Sequence, residues 1–300
     1  MKCRRNPGKT AAAAILFLMI FLAALGCSGN NLSSTRTPAI LKTQTGATGT
    51  VMTATTPAGA FRFQPLTFPA SMPSPARIVK VPILMYHHIG SLPPRADLIR
   101  RGLTVSAANF SRQMSYLKES GFHPVSQAAL FEALFRYEPL PDKPVVISFD
   151  DGYRDNFTQA LPILESCNFT ATFNIITAKV GIKGFMSWNQ ILELQFTGMD
   201  IGSHTVDHQD LSILGGPGVR HELIDSEQTL ASHLGHPVYW LCYPSGAYNA
   251  RVIAVAREAG YLLATTTHPG AYQSSAEPFE LNRLRVRNDT TLSEFEQLLR

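Results

Sequence analysis

The clearest pattern in the chain is the run Pro144-Val-Val-Ile-Ser-Phe149, almost wholly apolar and rich in β-branched residues, which ends abruptly at Asp150-Asp151-Gly152. A run that does not alternate reads as a strand buried on both faces, as in a parallel sheet covered by helices. Comparable runs recur at Val79 to Tyr86, leading into His87-His88, and at Ala171 to Ile176, Met199 to Ser203, Tyr239 to Tyr243, Leu262 to Thr266 and Leu281 to Val286. Between them the apolar spacing becomes helical. Phe110, Met114 and Leu117 with a stop at Gly121, then Val125 to Phe135, Asn156 to Cys167, Ser187 to Phe196, Val219 to Leu234, Ala250 to Gly260 and Leu292 to Leu299 each suit a helix. Strand and helix alternating from Arg77 to Arg300 predict one parallel α/β domain, either a barrel or an open sheet, with no internal repeat and no room for a second large domain.

The amino-terminal quarter follows other rules. Lys2, Arg4, Arg5 and Lys9 precede an apolar stretch from Ala11 to Leu25 and then Gly26-Cys27, the layout of an export signal. The stretch is short for a membrane span, which needs about 20 apolar residues. From Ser28 to about Ala76 the chain is rich in Thr, Ser, Ala, Gly and Pro and has no acidic residue, which predicts a tether spanning roughly 40 Å root-mean-square. Within it Phe61 to Phe68 is apolar enough to pack on the domain. With 45% hydrophobic and 16% charged residues the remainder is expected to build a sizeable core. Removing residues 1–26 leaves 22 basic against 22 acidic residues, so the positive formal charge belongs to the leader and nothing argues for a nucleic-acid partner. Cys167 and Cys242 remain beside Cys27, either paired or as two separate buried thiols.

The chemistry gathers where strands end. Asp150 and Asp151 are adjacent carboxylates whose mutual repulsion calls for a cation nearby. His204 and His208 follow another strand at a spacing that lets both imidazoles face one ion, so one Asp and two His converge as three ligands with positions left open, the pattern of a catalytic metal site. The second carboxylate then serves as general base toward a metal-activated water. Asp207, between the histidines, is the alternative carboxylate, with Asp150 then only capping the next helix. Trp188 either fills core or lines a groove where its face stacks on a sugar, and Tyr243-Pro244 either ends a strand or belongs to the site.

Phe149-Asp-Asp-Gly152 followed by Ser203-His-Thr-Val-Asp-His208 resembles the polysaccharide deacetylase, or NodB-homology, family of carbohydrate esterases, over roughly Val81 to Arg300. The resemblance implies a deformed (β/α) barrel, Asp150 as base, and Asp151, His204 and His208 as ligands of one divalent ion, with zinc favoured and cobalt, nickel or iron possible. The family's next motif is usually Arg-x-Pro-Tyr-Gly, where this chain has Cys242-Tyr243-Pro244-Ser245-Gly246. By position the Ser245 backbone N–H would face the oxyanion. Another cation must orient the base, and Arg283 is the candidate. The Met85-Tyr-His-His-Ile89 strand, the Trp188 helix and Leu281-Asn-Arg-Leu-Arg-Val286 resemble the branch acting on poly-β-1,6-N-acetylglucosamine, in which His87 takes the place of the acid, His268 being the alternative. Leu22 to Cys27 resembles a bacterial lipoprotein signal, implying cleavage before Cys27 and its lipidation. Ser28 then favours the outer membrane where a cell has two.

These readings make the chain a lipid-anchored, extracytoplasmic, metal-dependent N-deacetylase of an acetylated amino-sugar polysaccharide. The domains expected are 1–26 leader, 27–76 tether and 77–300 catalytic. The competing readings are an O-acetyl esterase acting on peptidoglycan or a xylan-like glycan, and a sugar-binding surface lipoprotein without turnover.

Overall fold

The computed structural model describes residues 63–300; the leader, Cys27 and most of the expected tether lie outside the described residues. Seven strands close the central ring, Ile83–Tyr86 (β1), Pro144–Phe149 (β2), Thr172–Ile175 (β3), Asp200–Ser203 (β4), Trp240–Cys242 (β5), Leu263–Pro269 (β6) and Leu281–Arg285 (β7), and the short strand His123–Pro124 pairs beside the start of β2. Every neighbouring pair is parallel. The choice between barrel and open sheet is settled at β1, where Leu84 lies opposite Ile147 of β2 on one edge and opposite Leu284 of β7 on the other. No strand of the ring is left as an edge. The barrel is deformed where β4 meets β5 through the single pair Ser203 and Leu241, and where β6 shifts register against β7 between Thr265 and Pro269.

Helices cover the outside: Ala107–Glu119 (α1), Gln127–Arg136 (α2), Leu161–Cys167 (α3), Trp188–Phe196 (α4), Ser226–Leu234 (α5), Ala250–Glu258 (α6) and Leu292–Leu298 (α7). Their starts are those the sequence pattern places after Ser, Asn or Thr. Ser106, Ser126, Asn249 and Thr291 each accept a backbone N–H of the first turn, and Ser187 completes a capping box with Gln190. No helix among the described residues is long and apolar enough to cross a membrane.

Two boundaries differ from the sequence reading. The first apolar run is not one strand, because Pro82 has no N–H to donate. Ile78–Lys80 pairs antiparallel with Tyr272–Ser274, and β1 begins only after the proline. The tether also ends earlier than residue 76. Leu66 is buried in the same cluster as Ile83, Val146, Trp240, Leu263 and Leu281, its N–H reaches the Tyr239 hydroxyl at 3.2 Å, and Phe68 packs edge-on against Phe131 and Phe135. Residues 63–68 therefore close the end of the barrel from which the strands start. Leu66→Ala is expected to cost about 2 kcal/mol by denaturant unfolding without changing the chemistry at the far mouth.

Candidate active site

The carboxyl ends of the strands gather the predicted residues at the other mouth. After β2 the backbone turns through positive φ at Asp151 (78°) and Gly152 (76°). A Cβ on Gly152 would lie 3.3 Å from Ile175 and would have to take up a left-handed conformation, so glycine allows a turn this tight. The turn sends the two adjacent carboxylates to different partners.

Asp150 is buried at 2% exposure. Its Oδ1 accepts hydrogen bonds from Arg283 Nη1 at 2.8 Å and from Asn174 Nδ2 at 2.9 Å, while His87 Nε2 stands 3.8 Å from its Oδ2. Burial pushes the carboxyl up, but the Arg283 guanidinium, with smaller contributions from His204 and His87, outweighs it and holds the carboxyl far below the usual carboxylate range. Arg283, on β7, is itself fully enclosed, its Nε donating to the Thr266 carbonyl at 2.7 Å. The cation missing from the motif at Cys242 is thus supplied from β7. Asn174 was not anticipated, although an Asn inside the apolar run Ala171 to Ile176 was a visible signal. Its carboxamide sits where a Cβ on Gly202 would come within 2.3 Å, so the glycine before Ser203-His204 makes room for it.

Asp151 faces the histidines. Its Oδ1 lies 3.4 Å from His204 Nε2 and 3.6 Å from His208 Nε2. Burial raises its carboxyl, but the hydrogen bond and the charge of His204, with a smaller pull from His87, together outweigh that and bring it down to about 2. His204 Nδ1 is 2.7 Å from the Cys242 carbonyl, which can only accept, so Nδ1 carries a proton and Nε2 is turned toward Asp151, where giving up its own proton would offer a lone pair to an ion. One oxygen and two imidazole nitrogens within 4.8 Å of one another form a donor set that fits a divalent cation. Two other groups among the described residues satisfy the same spacing. In Asp150, His204 and Cys242 the carboxylate already serves Arg283 and Asn174. In Asp207, His221 and Glu222 two members are exposed and Glu222 holds backbone N–H groups. Asp207 is therefore not the carboxylate that joins His204 and His208.

His87 and His88 point to opposite sides, as strand alternation requires. His87 faces Asp150, whereas His88 Nδ1 lies 2.7 Å from Asp155 Oδ2 and its ring stacks on Tyr153 at 3.4 Å. Burial lowers His87 to about 4 against the pull of Asp150 and Asp151, with Arg283 and Arg285 adding to the fall. It is neutral near pH 7. His268, the alternative acid, is exposed and lies beside Tyr248.

Of the other expected site residues, Trp188 contacts a neighbouring helix while Tyr243 and Pro244 are buried. Trp188 is half-buried, stacking on His233 of α5 at 3.6 Å and packing against the core. Tyr243 alternates away from Cys242 and stacks on Tyr248 at 5.0 Å inside the core, and Pro244 is buried. Ser245 is exposed at the tip of the turn with φ 55°. The turn's hydrogen bonds run from Gly246 and Ala247 to Tyr243 and Pro244, not from the Ser245 N–H. Cys167 and Cys242 are both free thiols.

Fold and site together define a barrel hydrolase with an arginine-paired aspartate beside a carboxylate–imidazole cluster. A family model described as polysaccharide deacetylase matches residues 137–264. YxkH of Bacillus subtilis (strain 168), a protein named after that same family, is 31% identical over 207 residues, covering 69% of this chain and 71% of its own. A poly-beta-1,6-N-acetyl-D-glucosamine N-deacetylase of Staphylococcus aureus (strain MRSA252) is 25% identical over 216 residues, covering 67% and 72%. Among solved structures, the Streptococcus pyogenes deacetylase PplD in complex with acetate aligns with a TM-score of 0.69 and 31% identity over 75% of this chain and 100% of that one. The chain belongs to the polysaccharide deacetylase family.

Proposed function

We propose that the protein removes N-acetyl groups from an extracytoplasmic N-acetylglucosamine polymer, poly-β-1,6-N-acetylglucosamine first, with one divalent ion held by Asp151, His204 and His208 and zinc the first choice. One observation carries this reading: two adjacent aspartates have separate partners, Arg283 for Asp150 and two imidazoles for Asp151. A binding protein has no use for a base kept ionised beside a ligand cluster. The Staphylococcus aureus relative favours this polymer by its name. Cys27, lipidated, would hold the domain to a membrane outside the cytoplasm, the outer membrane where there are two.

When bound, a divalent ion supplies Lewis acidity that acidifies water and polarises the acetyl carbonyl. The chain's own groups do the rest. Asp150, ionised by its pairing with Arg283, takes the proton of the attacking water. The Ser245 N–H, unused in its turn, faces the carbonyl oxygen as it gains charge. His87 then gives a proton to the departing nitrogen, since an amide anion is a very poor leaving group. Because Arg283 makes Asp150 a much weaker proton holder than His87, a proton taken up by the carboxylate passes downhill to the imidazole 3.8 Å away. The products are acetate and a free amine.

The test is acetate release from poly-N-acetylglucosamine, peptidoglycan fragments and acetylated xylan with zinc supplied. Amine appearing with acetate on the first substrate is expected. Release from ester-linked substrates alone would replace the reading with an O-acetyl esterase, and release from none with a sugar-binding protein. His87→Ala is expected to keep its metal and lose most activity on acetamides while losing much less on activated aryl acetates, whose leaving groups need no proton. An equal loss on both, or the same split in His268→Ala, would remove the acid role from His87.

A further inference from the structure

The loop that presents both histidines is held in a conformation that its own residues disfavour. Thr205 has φ 68° and His208 φ 62°, and a β-branched residue in the left-handed region is an outlier that persists only where the surroundings impose it. The backbone groups of this loop show what imposes it. The His204 N–H donates to the Ile175 carbonyl at 2.8 Å, and the Thr205 and Val206 carbonyls accept from the N–H groups of Thr177 and Ala178 at 3.1 and 3.0 Å. The Thr205 N–H goes to Ser203 Oγ at 3.2 Å and the His208 N–H to Thr205 Oγ1 at 3.1 Å. That leaves the N–H groups of Val206 and Asp207, directly between the two histidines. Both donate to one oxygen, Glu222 Oε2, at 3.0 and 2.9 Å.

Glu222 is fully buried, and its other oxygen, Oε1, is buried without a hydrogen-bond partner. A carboxylate in that setting is costly, and its two hydrogen bonds to the loop help to offset that cost. It lies on the helical segment His221–Asp225 that continues into α5, where Ser226 adds a second tie to the same loop through Ser203 Oγ at 2.9 Å.

We propose that Glu222 is the positioning residue of the metal centre, its carboxylate gathering the Val206 and Asp207 amides so that His204 and His208 face Asp151 before any ion arrives. The proposal rests on the reading that these three residues hold the cation. Without Glu222 the two amides would lose their side-chain acceptor and the loop would be free to relax out of its left-handed positions, carrying the His208 imidazole away from Asp151. The His204 end, tied to Ile175 and Cys242, would stay.

The test uses the full chain with zinc as probe. Glu222→Ala is expected to weaken zinc binding by about 10- to 100-fold in a chelator competition, the range seen when a group supporting a ligand is removed. Glu222→Gln, whose amide oxygen still accepts both N–H groups, is expected to stay within a few-fold of wild type. Zinc affinity unchanged in a folded Glu222→Ala protein, or Gln failing to rescue, would overturn the proposal and leave Glu222 a core residue. Where Glu222→Ala does not fold, hydrogen exchange on the metal-free wild type decides: the Val206 and Asp207 amides are expected to be strongly protected although Asp207 is exposed, and fast exchange there sinks the idea. Should His204→Ala and His208→Ala retain zinc, the ligand reading fails, while the exchange measurement still judges what Glu222 does to the loop.

Discussion

Asp150→Asn is expected to keep its metal and lose turnover by about a hundredfold or more, while Asp151→Asn loses the metal itself. The two residues are neighbours with the same side chain, so composition cannot separate them; their partners do. Asp150 receives Arg283 and Asn174 on one oxygen and lies across from His87, so an amide there keeps the shape but removes the group that accepts a proton. Asp151 faces the imidazoles of His204 and His208, and an amide oxygen is a weak ligand beside a carboxylate. Metal content of the purified variants, with acetate release before and after chelation and zinc addition, measures both. Equal metal loss in the two variants would cancel the division of roles.

Arg283→Met is expected to be the most destabilising change in the barrel, about 3 kcal/mol by denaturant unfolding of chelator-treated protein, because it leaves a buried carboxylate with no cation. Its effect should depend on pH with a definite sign. In the wild type the Asp150 carboxyl is depressed by the guanidinium, so the pair contributes stability that is complete above the ordinary carboxylate value, roughly 4, and disappears as pH falls below it. In the variant burial is opposed only by the Asn174 hydrogen bond and the nearby His204 and His87, so the carboxyl rises and the gain in stability with pH is lost. The gap between the two proteins is therefore expected to widen from pH 4 to pH 8. A constant gap would mean that Arg283 contributes packing and no charge. Activity should fall with it, since a base that holds a proton near neutrality cannot take one from water.

The elements of this protein were legible because local rules agree with one another. Unalternating β-branched runs stopped by polar residues became strands buried on both faces, and Ser, Asn or Thr before an apolar period became a capped helix. Asp150, Asp151, His204 and His208 were legible for a related reason, since in a parallel barrel every strand delivers its last residues to the same mouth. Where a local breaker competed with the apolar pattern, the pattern misled, as at Pro82, which splits the first run in two.

Other features depended on which surfaces meet. Tyr243 is an amphipathic aromatic that serves equally well in a groove or a core, and only its burial against Tyr248 assigned it to the core. The strap at Leu66 was visible as an apolar patch in a polar stretch, but its seat is formed by residues from five strands.

By itself the sequence determined the alternation that makes a parallel α/β barrel and the acidic and histidine pairs at its strand ends, because both are written in spacings of a few residues. The tertiary structure decided the closure through β1, the pairing of Arg283 with Asp150 across 133 residues, and the hold of Glu222 on the histidine loop. Each of those joins groups whose distance in the chain carries no periodicity, and their energy comes from burial and electrostatics that exist only once the barrel has brought them together.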